Sequence, residues 1–332
     1  MYSEEDLDNA VQQGILRQDD VNALRQHRSQ TTLQATADQE SFRLLTGFND
    51  IFVSIAGALF FVSLFVLGAN YDKALATILT AAAAWLFAEI FVRKQRMALP
   101  AILSLVFFVA SAFALPLAFF VTPTTTVLLM CALFSTIAAY VHWQRFRVPI
   151  TVAASTVGIL TATVGIIINR FPGLIEHKLT ILFIAGILVF LFAMYWDSRD
   201  LARRKRSSDV AFWLHLLAAP LIVHPVFQQF APLGGAQDVN TAILVSLVYL
   251  ILAVISIIID RRAIMVSALI YVLYTFGHLM QSWSVGYGLA LAGFIISSSL
   301  LVLSAYWSPL RAILVSHLPA NMQRNLPVTL VR

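Results

Sequence analysis

Ten apolar runs, each near the length of a membrane-spanning helix, are the feature of this sequence that most constrains its fold. An α-helix rises about 1.5 Å per residue, so about 20 residues cross the roughly 30 Å of hydrocarbon in a bilayer. Short polar segments separate the runs, which indicates that most neighbours form antiparallel hairpins. We therefore predict an all-α fold, a polytopic membrane helix bundle with about ten transmembrane helices. The predicted spans are residues 48–68, 74–92, 98–120, 124–142, 148–168, 179–196, 209–227, 240–259, 263–281 and 286–306.

The composition agrees with a membrane protein and excludes several kinds of site. The chain has 332 residues, of which 59% are hydrophobic and only 12% are charged, which is not typical of a soluble domain. Cys131 is the single cysteine, so a disulfide framework and a cysteine-based metal site are both excluded. We predict neither a cofactor nor a metal. The net charge of +5 is spread over the loops, which indicates the lipid bilayer rather than nucleic acid as the partner.

The distribution of basic residues predicts the orientation of the bundle. The loop at 199–206 contains five Lys or Arg residues, and such loops stay on the cytoplasmic side of a membrane. If this loop is cytoplasmic, the alternation of ten spans places fifteen basic residues inside from residue 93 onward. Only Lys73, Arg170 and Lys178 then lie outside. An even number of spans also predicts that both termini are cytoplasmic.

The region before the first span has its own helical signals. Ser3 can cap a short helix that ends near Gly14, and Asp19 leads into a second helix with Val21 and Leu24 on one face. This hairpin is too small to fold alone, so we expect it to pack on the bundle, on a cytoplasmic protein partner or at the lipid interface. We predict three regions: a cytoplasmic helical hairpin with its linker at 1–47, a transmembrane bundle at 48–307 and a cytoplasmic tail at 308–332.

The predicted cytoplasmic loops resemble one another. Most of them have a cluster of aromatic and basic residues where the preceding apolar helix ends. An arginine recurs in these loops at intervals of 51, 56, 59 and 49 residues. Two interpretations stay open, namely an internal duplication of a helix hairpin and a common need for aromatic and basic residues at the membrane interface. The recurring residues are Arg96, Arg147, Arg203, Arg262 and Arg311.

Several weak motifs near the N-terminus carry a resemblance to a family. They are the polar hairpin around Gly14-Ile15-Leu16, the Gly57-Ala58-Leu59 step of the first span and the Ala69-Asn70-Tyr71 segment that closes it. With the run of spans that follows, the chain resembles uncharacterised bacterial inner-membrane proteins known only as domains of unknown function. The resemblance implies a location in the cell inner membrane and implies no activity.

Ionisable residues inside the predicted spans are the candidates for a functional site. Glu89 lies about one turn before the end of the second span, and Arg93 follows on the same helix face. One interpretation is an ion pair at the membrane interface. The other is a polar membrane site formed by Glu89, Arg93 and His215, because His215 of the seventh span lies at a similar predicted depth.

The seventh span combines ionisable residues with helix-breaking prolines. It contains His215, Pro220, His224 and Pro225, and transporters often build binding sites at interrupted helices. The two histidines are nine positions apart, so they face opposite sides of an unbroken helix.

No catalytic constellation is visible in the sequence, so we do not predict an enzyme. Two hypotheses follow. The first is a non-catalytic membrane scaffold or sensor whose N-terminal hairpin docks a cytoplasmic partner. The alternative is a transporter or channel with a site near the seventh span.

Overall fold

The computed structural model describes residues 11, 13, 15–23, 48–120, 122–201, 203, 206–232, 235, 238–282, 287–323 and 326–327. All regular structure in these ranges is helical, which confirms the predicted all-α fold. The helices from residue 48 onward, α1 to α12 in chain order, are Phe48–Ala69, Lys73–Phe87, Ala98–Phe119, Thr125–Phe146, Ile150–Arg170, Lys178–Ser198, Arg206–Gln228, Val239–Ile259, Ala263–Ser282, Gly288–Ala305, Trp307–Ser316 and Ala320–Gln323.

The helices confirm the predicted multi-span architecture. Nine helices in the described ranges are long and apolar enough to cross a membrane, and together they cover the first nine predicted spans. The tenth predicted span corresponds to α10, which is joined to α11 at a bend of 68°. The chain is therefore a polytopic integral membrane protein with nine or ten spans, packed mainly as adjacent pairs.

Helices α6 and α7 form the closest hairpin of the bundle. A Cβ atom added at Gly186 of α6 would lie 2.8 Å from the backbone carbon of Leu221 in α7. Real Cβ atoms do not approach a backbone so closely, so only glycine allows this contact. Small residues permit such close packing between membrane helices.

Helix α7 is the most deeply buried span. Of the most apolar stretch of α7, 56% is buried inside the protein. The corresponding share is 17–44% for α1 to α6, α8 and α9. It packs against α5, α6 and α9. Its interior residues Val223 and Phe227 join one apolar cluster with α9, and Val210 and Leu214 join a second cluster with α6. Polar side chains on α7 are consequently held away from lipid.

Four hairpin loops at one end of the bundle share an unusual backbone conformation. Arg96, Arg147, Arg203 and Asp260 have φ angles of 56°, 55°, 51° and 61°, and they are the non-glycine residues with positive φ in the described structure. Each lies in the loop that joins an even-numbered helix to the next helix. We call this end of the bundle, with the start of α11, the basic end. Three of these residues belong to the recurring arginines of the sequence.

The segments outside the spans are only partly described. The predicted tail at 308–332 includes most of helix α11 and all of α12, and the side chain of Arg311 in α11 is buried. Of the predicted N-terminal hairpin, the structure describes residues 11, 13 and 15–23, and Val21 is 1% exposed there. The remaining residues of the hairpin and linker lie outside the described ranges.

Candidate functional site at the basic end

Asp197, in the last turn of α6, is the centre of a buried ion cluster. Its Oδ1 accepts a hydrogen bond from Nη2 of Arg261 at 2.5 Å, and its Oδ2 accepts from Nε of Arg261 at 3.1 Å. Oδ2 also lies 3.1 Å from Nε2 of His215 in α7. Because a carboxylate oxygen accepts, this contact places a hydrogen on Nε2 of the imidazole.

The three side chains of this cluster are almost completely removed from solvent and lipid. Asp197 and His215 are each 1% exposed, and Arg261 is 3% exposed. Arg261 also donates to the backbone oxygen and the hydroxyl of Ser208, both at 3.3 Å. A buried charge is tolerated only when it is paired and hydrogen-bonded. The cluster meets this condition and connects α6, α7 and the loop between α8 and α9.

A second cluster surrounds Asp260, the residue that ends α8. Its Oδ2 accepts from Nη1 of Arg203 at 2.7 Å, and its backbone oxygen accepts from Nη2 of the same residue at 3.0 Å. Its Oδ1 accepts from the indole nitrogen of Trp307 at 2.7 Å and lies 4.0 Å from Nε of Arg311. Arg311 in turn donates to the backbone oxygen of Pro327 at 2.6 Å.

The backbone at the end of α8 directs these neighbouring residues toward different clusters. Asp260 adopts the left-handed conformation, and the amide of Arg261 then donates to the carbonyl of Ser256 at 3.0 Å. The hydroxyl of Ser256 donates back to the carbonyl of Arg261. We call the two clusters together the ionic network. Its members are Asp197, Arg203, Ser208, His215, Asp260, Arg261, Trp307 and Arg311.

Glu89 lies at a different place on the basic end. Helix α2 continues into a π-helical turn, Ala88–Lys94, and Glu89 pairs there with Arg93 at 3.2 Å. This is the ion pair that the sequence suggested. A second arginine, Arg145 in the last turn of α4, binds the same carboxylate through Nε at 2.7 Å and Nη2 at 3.2 Å. Arg93 and Arg145 are both well exposed, unlike the arginines of the ionic network.

The structure does not bring Glu89 and His215 together. In the ranges that the structure describes, no hydrogen bond or ion pair joins them, and each residue has its own partners of opposite charge. A polar membrane site that includes Glu89, Arg93 and His215 therefore stays a prediction. The sequence missed the correct partner of His215 because Asp197 lies on the preceding helix, eighteen residues earlier.

Helix α7 runs without interruption through Pro220 and Pro225. Its two histidines contact different neighbours, as their spacing predicts. His215 reaches Asp197 of α6, and His224 lies 2.5 Å from the hydroxyl of Tyr271 in α9. The bent span is instead the tenth one, between α10 and α11.

One nitrogen of His215 has no partner. Its Nδ1 atom is buried and makes no hydrogen bond in the described structure, and its ring packs on Phe190 at 5.4 Å between centroids. Such an atom could bind a water or a small polar ligand. Within the described residues, no group of three or more His, Cys, Asp or Glu side chains could bind a metal.

The sequence contained one overlooked signal for the ionic network. Lys and Arg alone predict the orientation, yet Asp197 and Asp260 also lie at the basic ends of their spans. An acidic residue in a basic membrane loop needs a cationic partner, so these two residues were better candidates than Glu89.

No protein-family model, curated protein or solved structure matches this chain. The comparisons therefore identify no family. The structure shows a multi-span helical membrane protein.

Proposed function

We propose that this protein is a non-catalytic membrane scaffold or sensor whose basic end is a fixed surface for a cytoplasmic protein partner. In this proposal the basic end faces the cytoplasm of a bacterial cell and the N-terminal segment takes part in docking. The fifteen basic residues on one side support this orientation.

The observation that carries the proposal is the saturation of two carboxylates, the buried one of Asp197 and the partly buried one of Asp260. Asp197 accepts three hydrogen bonds and Asp260 accepts from Arg203 and Trp307, all from side chains of the chain itself. A substrate site needs polar groups that are free to exchange partners, whereas these groups connect helices. The ionic network joins α6, α7, α8 and α11, so it gives the loops of the basic end a defined arrangement.

The experiment compares proteins that co-purify with three forms of the chain after crosslinking in intact membranes. The forms are the full chain, the chain without residues 1–45, and a variant with Arg199→Glu and Arg206→Glu, two exposed positions at the basic end. We expect both altered forms to lose the same proteins. The matched control is Arg170→Glu with Lys178→Glu, which reverses two exposed charges at the opposite end.

The control should retain the proteins that the full chain captures. Equal capture by all forms would contradict a docking surface at the basic end. Loss in the control as well would indicate a general effect of charge.

The second candidate is a transporter or channel with a site near α7. The unpartnered Nδ1 of His215 favours it, because an ionisable side chain inside a membrane often marks a substrate or ion pathway. A flux measurement with purified protein in vesicles separates the two candidates.

A further inference from the structure

A groove opens on the side of the bundle where α8, α9, α10 and α11 meet at the basic end. It has a volume of about 170 Å³. Drug-sized ligand pockets usually have about 300–1,000 Å³, so the groove suits part of a larger molecule better than a whole soluble ligand. Its lining residues are Tyr249, Arg262, Met265, Val266, Leu269, Leu300, Ser304 and Trp307.

Arg262 gives one end of the groove a positive charge. Its side chain is exposed, and its guanidinium carbon lies 4.8 Å from the centre of the Trp307 ring. The part of the chain that the structure describes places no carboxylate within ion-pair distance of Arg262. The neighbouring arginines differ, because Arg203 is paired with Asp260 and Arg261 with Asp197.

The rest of the groove is mainly apolar and extends away from Arg262. Leu269 lies seven residues after Arg262, which is about 10 Å along a helix, and Leu300 lines the groove from α10. One leaflet contributes roughly 15 Å of hydrocarbon. A molecule with its charge at Arg262 would therefore place its apolar part beside these leucines, within the membrane.

Tyr249 also lines the groove. Its hydroxyl is buried and has no hydrogen-bond partner in the described structure. A buried donor without an acceptor costs free energy. Because protein atoms cover this hydroxyl, Tyr249 offers no accessible hydrogen-bond donor to a molecule in the groove.

We propose that this groove binds an acidic phospholipid, with the phosphate at Arg262 and an acyl chain along Leu269 and Leu300. Basic pockets between membrane helices recognise anionic headgroups in this way. A neutral phospholipid would fill the apolar part equally well, so the charge of Arg262 is the expected source of selectivity.

The test uses the purified full chain in detergent with phosphatidylglycerol or phosphatidylcholine added, and native mass spectrometry measures the bound lipid. We expect the chain to retain phosphatidylglycerol preferentially. Arg262→Ala should reduce this retention about fivefold, the change expected for one basic residue at an acidic membrane surface. Leu300→Trp should reduce the binding of both lipids, because it fills the groove.

Arg199→Ala is the matched control. Arg199 is also an exposed arginine of the basic end stacked on an aromatic ring, with its guanidinium carbon 4.6 Å from the centre of Tyr195, but it does not line the groove. It should retain phosphatidylglycerol like the wild type. Arg262→Lys should keep most of the wild-type binding of phosphatidylglycerol. Melting curves of all variants establish that they are folded.

Three outcomes would overturn the proposal. Equal retention of both lipids by the wild type would remove the role of charge. Complete displacement by inorganic phosphate would indicate a site for a soluble anion. Loss of lipid from Arg199→Ala to the same extent as from Arg262→Ala would indicate general attraction to the basic end instead of a groove.

Discussion

Asp260 and Arg261 are adjacent in the chain, yet their side chains belong to different ion clusters. Asp260 binds Arg203 at 2.7 Å, and Arg261 binds Asp197 with its nearest nitrogen at 2.5 Å. The left-handed backbone of Asp260 produces this divergence. One turn at the end of α8 therefore connects both hairpins and α11, and it is the place where mutations should affect the whole basic end.

We expect Asp197→Ala and Arg261→Ala each to lower the free energy of unfolding by about 3–5 kcal/mol, because each leaves a buried charge without its partner. The double variant should lose clearly less than the sum of the two, since the residues interact directly. Chemical unfolding of the purified protein in detergent measures this. Additive losses would contradict a direct pair.

Glu89→Ala is the control for this comparison. Its carboxylate pairs with Arg93 and Arg145 at the exposed edge of the bundle. Exposed ion pairs contribute little to stability, so we expect no resolvable change in the unfolding curve.

The left-handed loop residues allow a second comparison. Arg96 and Arg203 have φ angles of 56° and 51°, but of the two only Arg203 has an ion pair in the described structure, with Asp260. Glycine relieves the strain at both positions, at a cost in the entropy of the unfolded chain. Arg96→Gly should therefore change the free energy of unfolding by less than about 1 kcal/mol.

Arg203→Gly should instead destabilise the protein by about 3 kcal/mol, because Asp260 loses a buried partner. The same unfolding assay reports both variants. Equal effects would show that the backbone conformation matters and that the ion pair does not.

The orientation of the bundle can be tested with introduced cysteines. Gly173, between α5 and α6, is exposed, and an added Cβ there would meet nothing within 4 Å. Gln95 is exposed at the basic end. The native Cys131 is buried and should label weakly. We expect an impermeant maleimide to reach Gly173→Cys from outside intact cells and Gln95→Cys only after the membrane is opened. The reverse pattern would invert the predicted orientation.

The fold was largely predictable from the sequence because the thickness of a bilayer sets the length of each spanning helix. This length allows the number of spans to be counted from the apolar runs. The spans 48–68 and 98–120, for example, agree with Phe48–Ala69 and Ala98–Phe119 to within one residue at every end. The bend after Ala305 does have a signal in the sequence, because Pro309 has no amide hydrogen to donate to the carbonyl of Ala305, four residues earlier. The predicted tenth span accordingly stops at residue 306, but the angle of the bend was not predictable.

The site was less predictable because its contacts join distant positions. The Glu89–Arg93 pair follows from helix geometry, since residues four apart share a face. The contact of Asp197 with Arg261 spans sixty-four residues and depends on how two hairpins pack. Periodicity carries no information on that packing. The only available hint was the presence of acidic residues among basic loops.

The last prediction separates the scaffold from the transporter. His215→Gln is the informative variant, because its amide nitrogen can still donate to Asp197 while the unpartnered Nδ1 is lost. If the protein is a scaffold, vesicles that contain the wild type, His215→Gln or Glu89→Gln should all show the same proton-linked flux as empty vesicles. A fluorescent pH indicator inside the vesicles measures this. A flux that appears with the wild type, persists in Glu89→Gln and disappears in folded His215→Gln would assign the pathway to α7 and replace the scaffold proposal.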